Sequence, residues 1–593
     1  MTHRLLPAVL GALLLLACAG DSAGPTGDAP LRIRVVDAST NEPIPARVEV
    51  RSATGAFAVP ATALLLTLEC ALAPPSDWPA SVGTRALENP HTGTTQFYMN
   101  GEIEVGVSPG PHAIRVERGI EWKLGRADID VGPDGASVEI RLERWADEPG
   151  RGWWGADDHI HLTRRTDRDD ERISAWMQAE DLHVSNLLQM GTMQQHDVTP
   201  QPAFGPEGVV RRGNHLLVPG QEHPRTHFLG HTITLGANER IDSRDTYIHY
   251  ESTWAPARAA GGISGFAHWG AGVANDGLAI DAPRGWISFI EVLQFEWPYY
   301  APWYDMLNLG IRVAPTAGTD FPCGPWSIPG RERFYAKLDG DLSVGSWLDA
   351  IRGGRTFVTN GPLVDFSVDG VDIGGDVSLR APGEVRVRGS VRFDPDRDRV
   401  EAADLIVNGH ALPLDGQLTT DGVQSVWHFD QLVRVERSSW LALRVEGDKP
   451  NDQPLRTLDA MGLPQWVLDL SAKIANGAQG FDTREAWLIE RIDPVAAAHT
   501  APVWVQVLGT PPVGEAPEGR ALAARYVERL DTFAEKLTDE NIGDQPIWDW
   551  VTRYSDGVSE EHLRANRPAV LRSVAESRAL LKRQAEGSAR EGE

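Results

Sequence analysis

Apolar residues recur at every second position near both ends of this chain and lose that period in the middle, which narrows what the chain can become. Leu31, Ile33 and Val35 open the first alternating stretch; Val48 and Val50, then Ile103, Val105 and Val107, then Val138, Ile140 and Leu142 continue it. Alternation of this kind places the apolar side chains on one face of an extended strand. Turns such as Pro109-Gly110-Pro111 and Gly132-Pro133-Asp134-Gly135 separate the runs. Residues 31–148 therefore predict a small antiparallel β-sandwich. The same period returns at 364–368, 385–391, 405–407 and 440–445, predicting a second β-domain over 366–512. Between them, residues 149–365 set short apolar runs among longer helical or loop stretches. Beyond 513, Leu522, Tyr526, Leu530, Phe533 and Leu537 form one apolar helical stripe, so 513–593 predicts a helical tail packed on the body.

Composition bears on partners and compartment. The 593 residues carry 83 Asp and Glu against 56 Lys and Arg, a formal net charge of −27. That excess leaves no basic footprint for nucleic acid, and it repels anionic membrane surfaces. His3 and Arg4 precede an apolar run, Leu5 to Leu16, of signal-peptide length and too short to span a bilayer. It ends at Leu15-Leu16-Ala17-Cys18, which resembles the bacterial lipobox. That resemblance implies a signal peptide over 1–18, a lipid on Cys18 as the only membrane attachment, and a place in the cell envelope. Gly, Ser, Asp and Pro dominate the following 19–30, as in a flexible tether. Cys70 and Cys323 remain, and two distant cysteines predict separate thiols rather than a disulfide framework.

Histidine is the most uneven residue. Seventeen in the chain would place about three in any 110-residue window, yet ten lie between His159 and His268. His159-Ile160-His161 on a strand would aim both imidazoles to one side. Glu222 follows the apolar run Leu216–Gly220, His268 ends Ile263–Ala267, Glu291 follows Trp286–Ile290, and Asp320 ends Val313–Thr319. Metal-capable side chains at the carboxyl ends of successive strands are how a parallel barrel builds a site on one face.

These residues resemble the polymerase-and-histidinol-phosphatase (PHP) superfamily, closest to its carbaryl-hydrolase-like branch. The resemblance rests on His159-Ile160-His161, Gly220-Gln221-Glu222, Gly230-His231-Thr232, Ala267-His268 and Gly318-Thr319-Asp320, taken in order. Gly152-Trp153-Trp154-Gly155-Ala156-Asp157-Asp158 before them and the stretch Trp347–Pro362 after them match as well. It implies an α/β fold, a distorted TIM-like (β/α)7 barrel over 149–365 flanked by the two β-domains, and metal-dependent hydrolysis. Carried over, one ion takes His159, His161 and Asp320, and Glu222 bridges to a second held by His231 and His268. One or two divalent ions, Zn, Mn or Fe, would suit these donors. The chain departs from the pattern twice. The run Val184–Met190 lacks the usual Asp-His pair, and Pro322 stands where the family's last motif has histidine, so a third ion is not expected.

Other roles stay open at this stage. Glu291 is the candidate for moving protons and Arg164, or its neighbour Arg165, for polarising substrate; a solvated or ion-paired loop explains the arginines equally well. His249 is an alternative to His231. His183, His196, His215, His223 and His227 read as ordinary or ligand-orienting residues. Cys323 reads as a soft ligand or as a neutral thiol. The aromatic run Phe295–Tyr304 would line a substrate pocket or pack a loop on the body. No Ser-His-Asp or Cys-His nucleophile motif competes. The leading expectation is an exported hydrolase acting on an ester, carbamate, amide or phosphoester of a small-molecule or glycan-derived substrate. The alternative is a non-catalytic, glycan-binding lipoprotein with a degenerate barrel.

Overall fold

The computed structural model describes residues 29–68, 82–89, 92–191, 193, 198–226, 228–267, 276–294, 297–323, 328–449, 495–538, 542 and 558–587. The signal and lipobox positions, Cys70, His196, His227 and His268 lie outside them, as do Phe295 and Glu296.

Near the N-terminus the alternating runs form two sheets. Ala29–Asp37 lies between Ala136–Leu142, to which it is parallel, and Glu102–Val107, to which it is antiparallel. Pro45–Ser52 is the centre of a five-stranded sheet between Thr95–Asn100 and Gly110–Glu117. Leu31, Ile33, Val35, Val48, Val50, Val105 and Val107 are buried together between the two sheets. These sheets meet the body through buried charge. The Arg47 guanidinium donates to Glu180 Oε1 at 2.7 Å and to Glu117 Oε2 at 3.1 Å. Arg144 donates to Asp181 Oδ2 at 2.7 Å and to Glu121 Oε2 at 2.9 Å, and Tyr335 donates to Glu121 Oε1 at 2.8 Å.

In the body the sheet runs, by hydrogen-bonded neighbours, Arg333–Lys337, Trp153–Ile160, Val184–Met190, His215–Thr226, Gly230–Leu235, Ile263–Phe266, Phe289–Gln294, Ala314–Ala317. This corrects the expected fold. The described residues are 43% strand and only 23% helix, so sheet, not repeated βα units, dominates them. Among the described residues no closed barrel forms. Ala314–Ala317 and Trp153–Ile160 share no ladder, and a single bridge joins Ile160 to Phe321 beyond the strand end. The reason is local. The connection from Thr226 to Gly230 is far too short for a parallel crossover, so His215–Thr226 and Gly230–Leu235 pair as an antiparallel hairpin. Arg333–Lys337 is also antiparallel to its neighbour and leads on through Thr356–Thr359 to Val495–Thr500, so the sheet continues into the second β-region.

That region adds a five-stranded sheet centred on Gly383–Phe393 and buries Val385, Val387, Val391, Leu405, Leu441 and Leu443. Tyr300, Trp303 and Tyr304 pack here. The Tyr304 hydroxyl lies 2.6 Å from His499 Nε2, and its ring is 5.2 Å from that of Trp440. For these residues the aromatic run is core packing between body and β-region. The stripe on helix Pro517–Lys536 is buried against the body, with Phe533 stacked on Phe228 at 6.5 Å. Helix Glu560–Glu586 packs beside it. No helix among the described residues is long and apolar enough to cross a membrane.

Candidate metal centre

Trp153–Ile160 is buried along its whole length, and its end delivers the two histidines. His159 and His161 are fully buried, with their Nε2 atoms 3.0 Å apart. Two lone pairs at that separation repel unless a proton or a cation lies between them. Carboxylates close on the same point. Glu222 Oε2 is 3.3 Å from His161 Nε2 and 3.7 Å from His159 Nε2. Asp320 Oδ1 is 3.2 Å and 3.4 Å from the same two atoms. The other oxygen of Glu222 meets His231 Nδ1 at 2.8 Å, so its carboxylate spans three imidazoles. The Arg225 guanidinium stands 3.8 Å from Glu222 Oε2 and 2.9 Å from Met190 Sδ.

The backs of the rings fix which nitrogen faces the centre. His161 Nδ1 donates to Leu188 O at 3.1 Å, and the Thr199 hydroxyl holds the same carbonyl at 2.8 Å. This leaves Nε2 of His161 as the inward atom. His159 Nδ1 faces Glu291 Oε2 and the Gln294 side chain, each at 3.4 Å. Asp157 joins the first strand to the Asp320 loop: Oδ1 accepts from the backbone of His159 at 3.0 Å and Thr319 at 3.1 Å. Its Oδ2 accepts from the Thr319 hydroxyl at 2.6 Å and the Gly330 backbone at 2.9 Å. Gly318 must stay small, because a Cβ there would fall 2.5 Å from Glu291 Oε1 and 2.5 Å from His159 Cβ. Asp320 has φ of +52°, a left-handed backbone that aspartate tolerates better than most residues and that is often kept at functional sites.

Electrostatics follow the geometry. Burial alone would depress both imidazoles, but Glu291, Asp320 and Glu222 outweigh it and hold His159 well above its ordinary value. His161 is raised to about 9 in the same way, against burial, by Asp320 and Glu222. Burial works against ionised Glu222 too, yet Arg225 and the three histidines pull it well below the usual carboxylate range. Burial pushes Asp157 up to about 6 despite its hydrogen bonds, and burial with the neighbouring Glu291 charge holds Asp158 well above the usual carboxylate range. Ligation of a cation would require the inward ring nitrogens to be free of protons. Buried His159, His161, Glu222 and Asp320 form a group able to bind a metal ion, and imidazole with carboxylate is a fitting donor set.

The remaining candidates are placed as follows. His231 sits on Glu222, whereas His249 points to Ser573 of the tail at 3.2 Å. Glu291 lies behind His159, on the Nδ1 side. The buried Arg164 guanidinium donates to Asp170 at 2.5 Å and to Gly208 O at 2.9 Å, tying loops together, and Arg165 is exposed. His183 and His215 stack on each other at 5.3 Å, and His223 packs edge-on to Tyr247. Sequence reasoning missed the clamp by Asp157 and the roles of Leu188 O and Thr199. An acidic pair inside an otherwise apolar strand was the available signal for Asp157; a backbone carbonyl leaves none. Comparison with family models, with curated proteins and with solved structures found no match.

Proposed function

We propose that this chain is a metal-dependent hydrolase. The observation carrying that reading is the convergence of His159, His161, Glu222 and Asp320 on one buried point from three separate parts of the sheet. A divalent ion bound there would supply Lewis-acid polarisation of a scissile carbonyl or phosphoryl group and a more acidic attacking water. The chain's own residues do the rest. Leu188 O and Glu291 hold the two imidazoles in the ligating tautomer, Asp157 keeps the histidine strand and the Asp320 loop in register, and Glu222 links the pair to His231. Arg225, 3.8 Å from Glu222, is a guanidinium beside the site that would suit a substrate anion. The order of motifs shared with the PHP superfamily supports hydrolysis of an ester, carbamate, amide or phosphoester, although the open sheet means that the motifs alone carry that likeness. A second ion would draw on Glu222, His231 and His268.

The Leu15-Leu16-Ala17-Cys18 motif supports an envelope location, with the protein exported and held by a lipid on Cys18. The glycan-binding alternative loses part of its support, since Tyr300 and Trp303 are buried in the inter-region core. The test is elemental analysis of purified protein followed by assay on aryl, carbamate and phosphate esters before and after chelation. About one or two ions per chain and chelator-sensitive turnover are expected. Less than one ion with no turnover would overturn the reading.

A further inference from the structure

The sequence places Pro322 where the family pattern expects a last histidine ligand, and a thiol follows it. The backbone N–H of Cys323 donates to Asp320 O at 2.5 Å, closing a tight turn that folds Cys323 back toward the Asp320 side chain. The sulfur, an Asp320 carboxylate oxygen and a ring nitrogen of His161 all lie within 4.8 Å of one another. His161 is common to this triad and to that of His159 and Glu222, so one ion seated against His161 can draw on both. Cys323 is partly exposed and is not in a disulfide, so its thiol proton has a path to water.

We propose that Cys323 is a thiolate donor to the ion held by His161 and Asp320, making the centre selective for a thiophilic ion such as Zn²⁺ over Mn²⁺ or Mg²⁺. The inference rests on the metal-centre reading above and adds a ligand to it. On coordination the S–H bond breaks, the proton leaves to solvent and the electron pair stays on sulfur as the donor. Zinc accepts a mixed imidazole, carboxylate and thiolate set at Zn–S of about 2.3 Å, whereas oxygen-seeking Mg²⁺ and Mn²⁺ gain little from sulfur. A thiolate in the set also exposes the centre to oxidation, which would remove the donor.

The experiment uses the full chain in detergent with Cys18→Ser and Cys70→Ser, leaving Cys323 as its one cysteine. Loaded with Co²⁺, it should show a near-ultraviolet thiolate-to-cobalt charge-transfer band that Cys323→Ser abolishes. The preference for Zn²⁺ over Mn²⁺ should fall about tenfold or more in that variant. Should Cys323→Ser fail to fold, slower alkylation of Cys323 in the zinc-loaded parent gives the same answer. Bound cobalt without the band, or unchanged alkylation, overturns this proposal and leaves the metal centre standing. No bound cobalt at all overturns the metal centre and this proposal together.

Discussion

Among the regions of this molecule that bury carboxylates, two differ in what meets the negative charge. Where the N-terminal sheets join the body, Glu117, Glu180, Glu121 and Asp181 are met by Arg47, Arg144 and Arg118. In the candidate metal centre Glu222 and Asp320 are met chiefly by imidazoles. A guanidinium keeps its proton at any pH a protein sees, so Glu117 and Asp181 are held well below the usual carboxylate range and tie surfaces together, although burial and the Asp181 charge raise Glu121 to about 8. An imidazole gives up its proton easily, so the second can exchange protons for a cation. The type of base beside a buried acid thus separates a joint from a site.

The largest expected effect breaks the joint. Arg47→Met strands Glu180 without its guanidinium, takes from Glu117 one of the three arginines around it, and should cost about 3–5 kcal/mol by thermal or denaturant unfolding, while any metal affinity of the folded fraction is kept. At the centre, Asp320→Ala should weaken metal binding on the order of 100-fold, about 2.8 kcal/mol, with little loss of metal-free stability, because it relieves a buried charge. Equal losses of stability in both variants would erase the distinction. Gly318→Ala tests crowding behind the ligands. Its Cβ must displace Glu291 or His159, so about 1–3 kcal/mol of stability and part of the metal affinity should go together.

Acid gives a smaller effect, readable at a histidine outside both regions. His499 donates from Nδ1 to Thr500 O at 2.8 Å and takes the Tyr304 hydroxyl on Nε2. Burial lowers it from 6.5 to about 3, so the native state keeps it neutral while the unfolded chain binds a proton between those values. Stability from this group is complete above pH 6.5 and is lost as pH falls toward 3. His499→Gln should flatten that acid limb in a series of melting curves. Smallest of all, Arg312→Ala breaks an exposed pair with Asp376 and should leave the melting temperature unchanged, which confines the effect of arginine to burial.

The sequence made the donors legible and their setting much less so. His159-Ile160-His161, Glu222 and Asp320 were found because each ends an apolar run, and strand ends do meet in the structure. The N-terminal alternation and the tail stripe were legible for a similar reason, since periodicity directly reports which face is buried. Strand direction leaves no such trace. Residues 215–235 read equally well as two parallel strands or as a hairpin, unless the short Thr226–Gly230 connection is given its full weight. Arg164 was picked out by nearness in sequence to the histidines, but Asp170 and Gly208 O, which occupy its guanidinium, are set by tertiary structure.

The gap in the body sheet has a consequence for the chain as a whole. His159 and His161 lie on one side of the unladdered seam and Asp320 on the other, about 160 residues later, and Asp157 and the Ile160–Phe321 bridge tie the two sides. An ion shared by these side chains would close a loop of that length, where polymer entropy makes a cross-link count most. The ion would then act as a clasp on the architecture as well as a reagent. Its removal should register first as faster amide exchange along the seam, before any global unfolding.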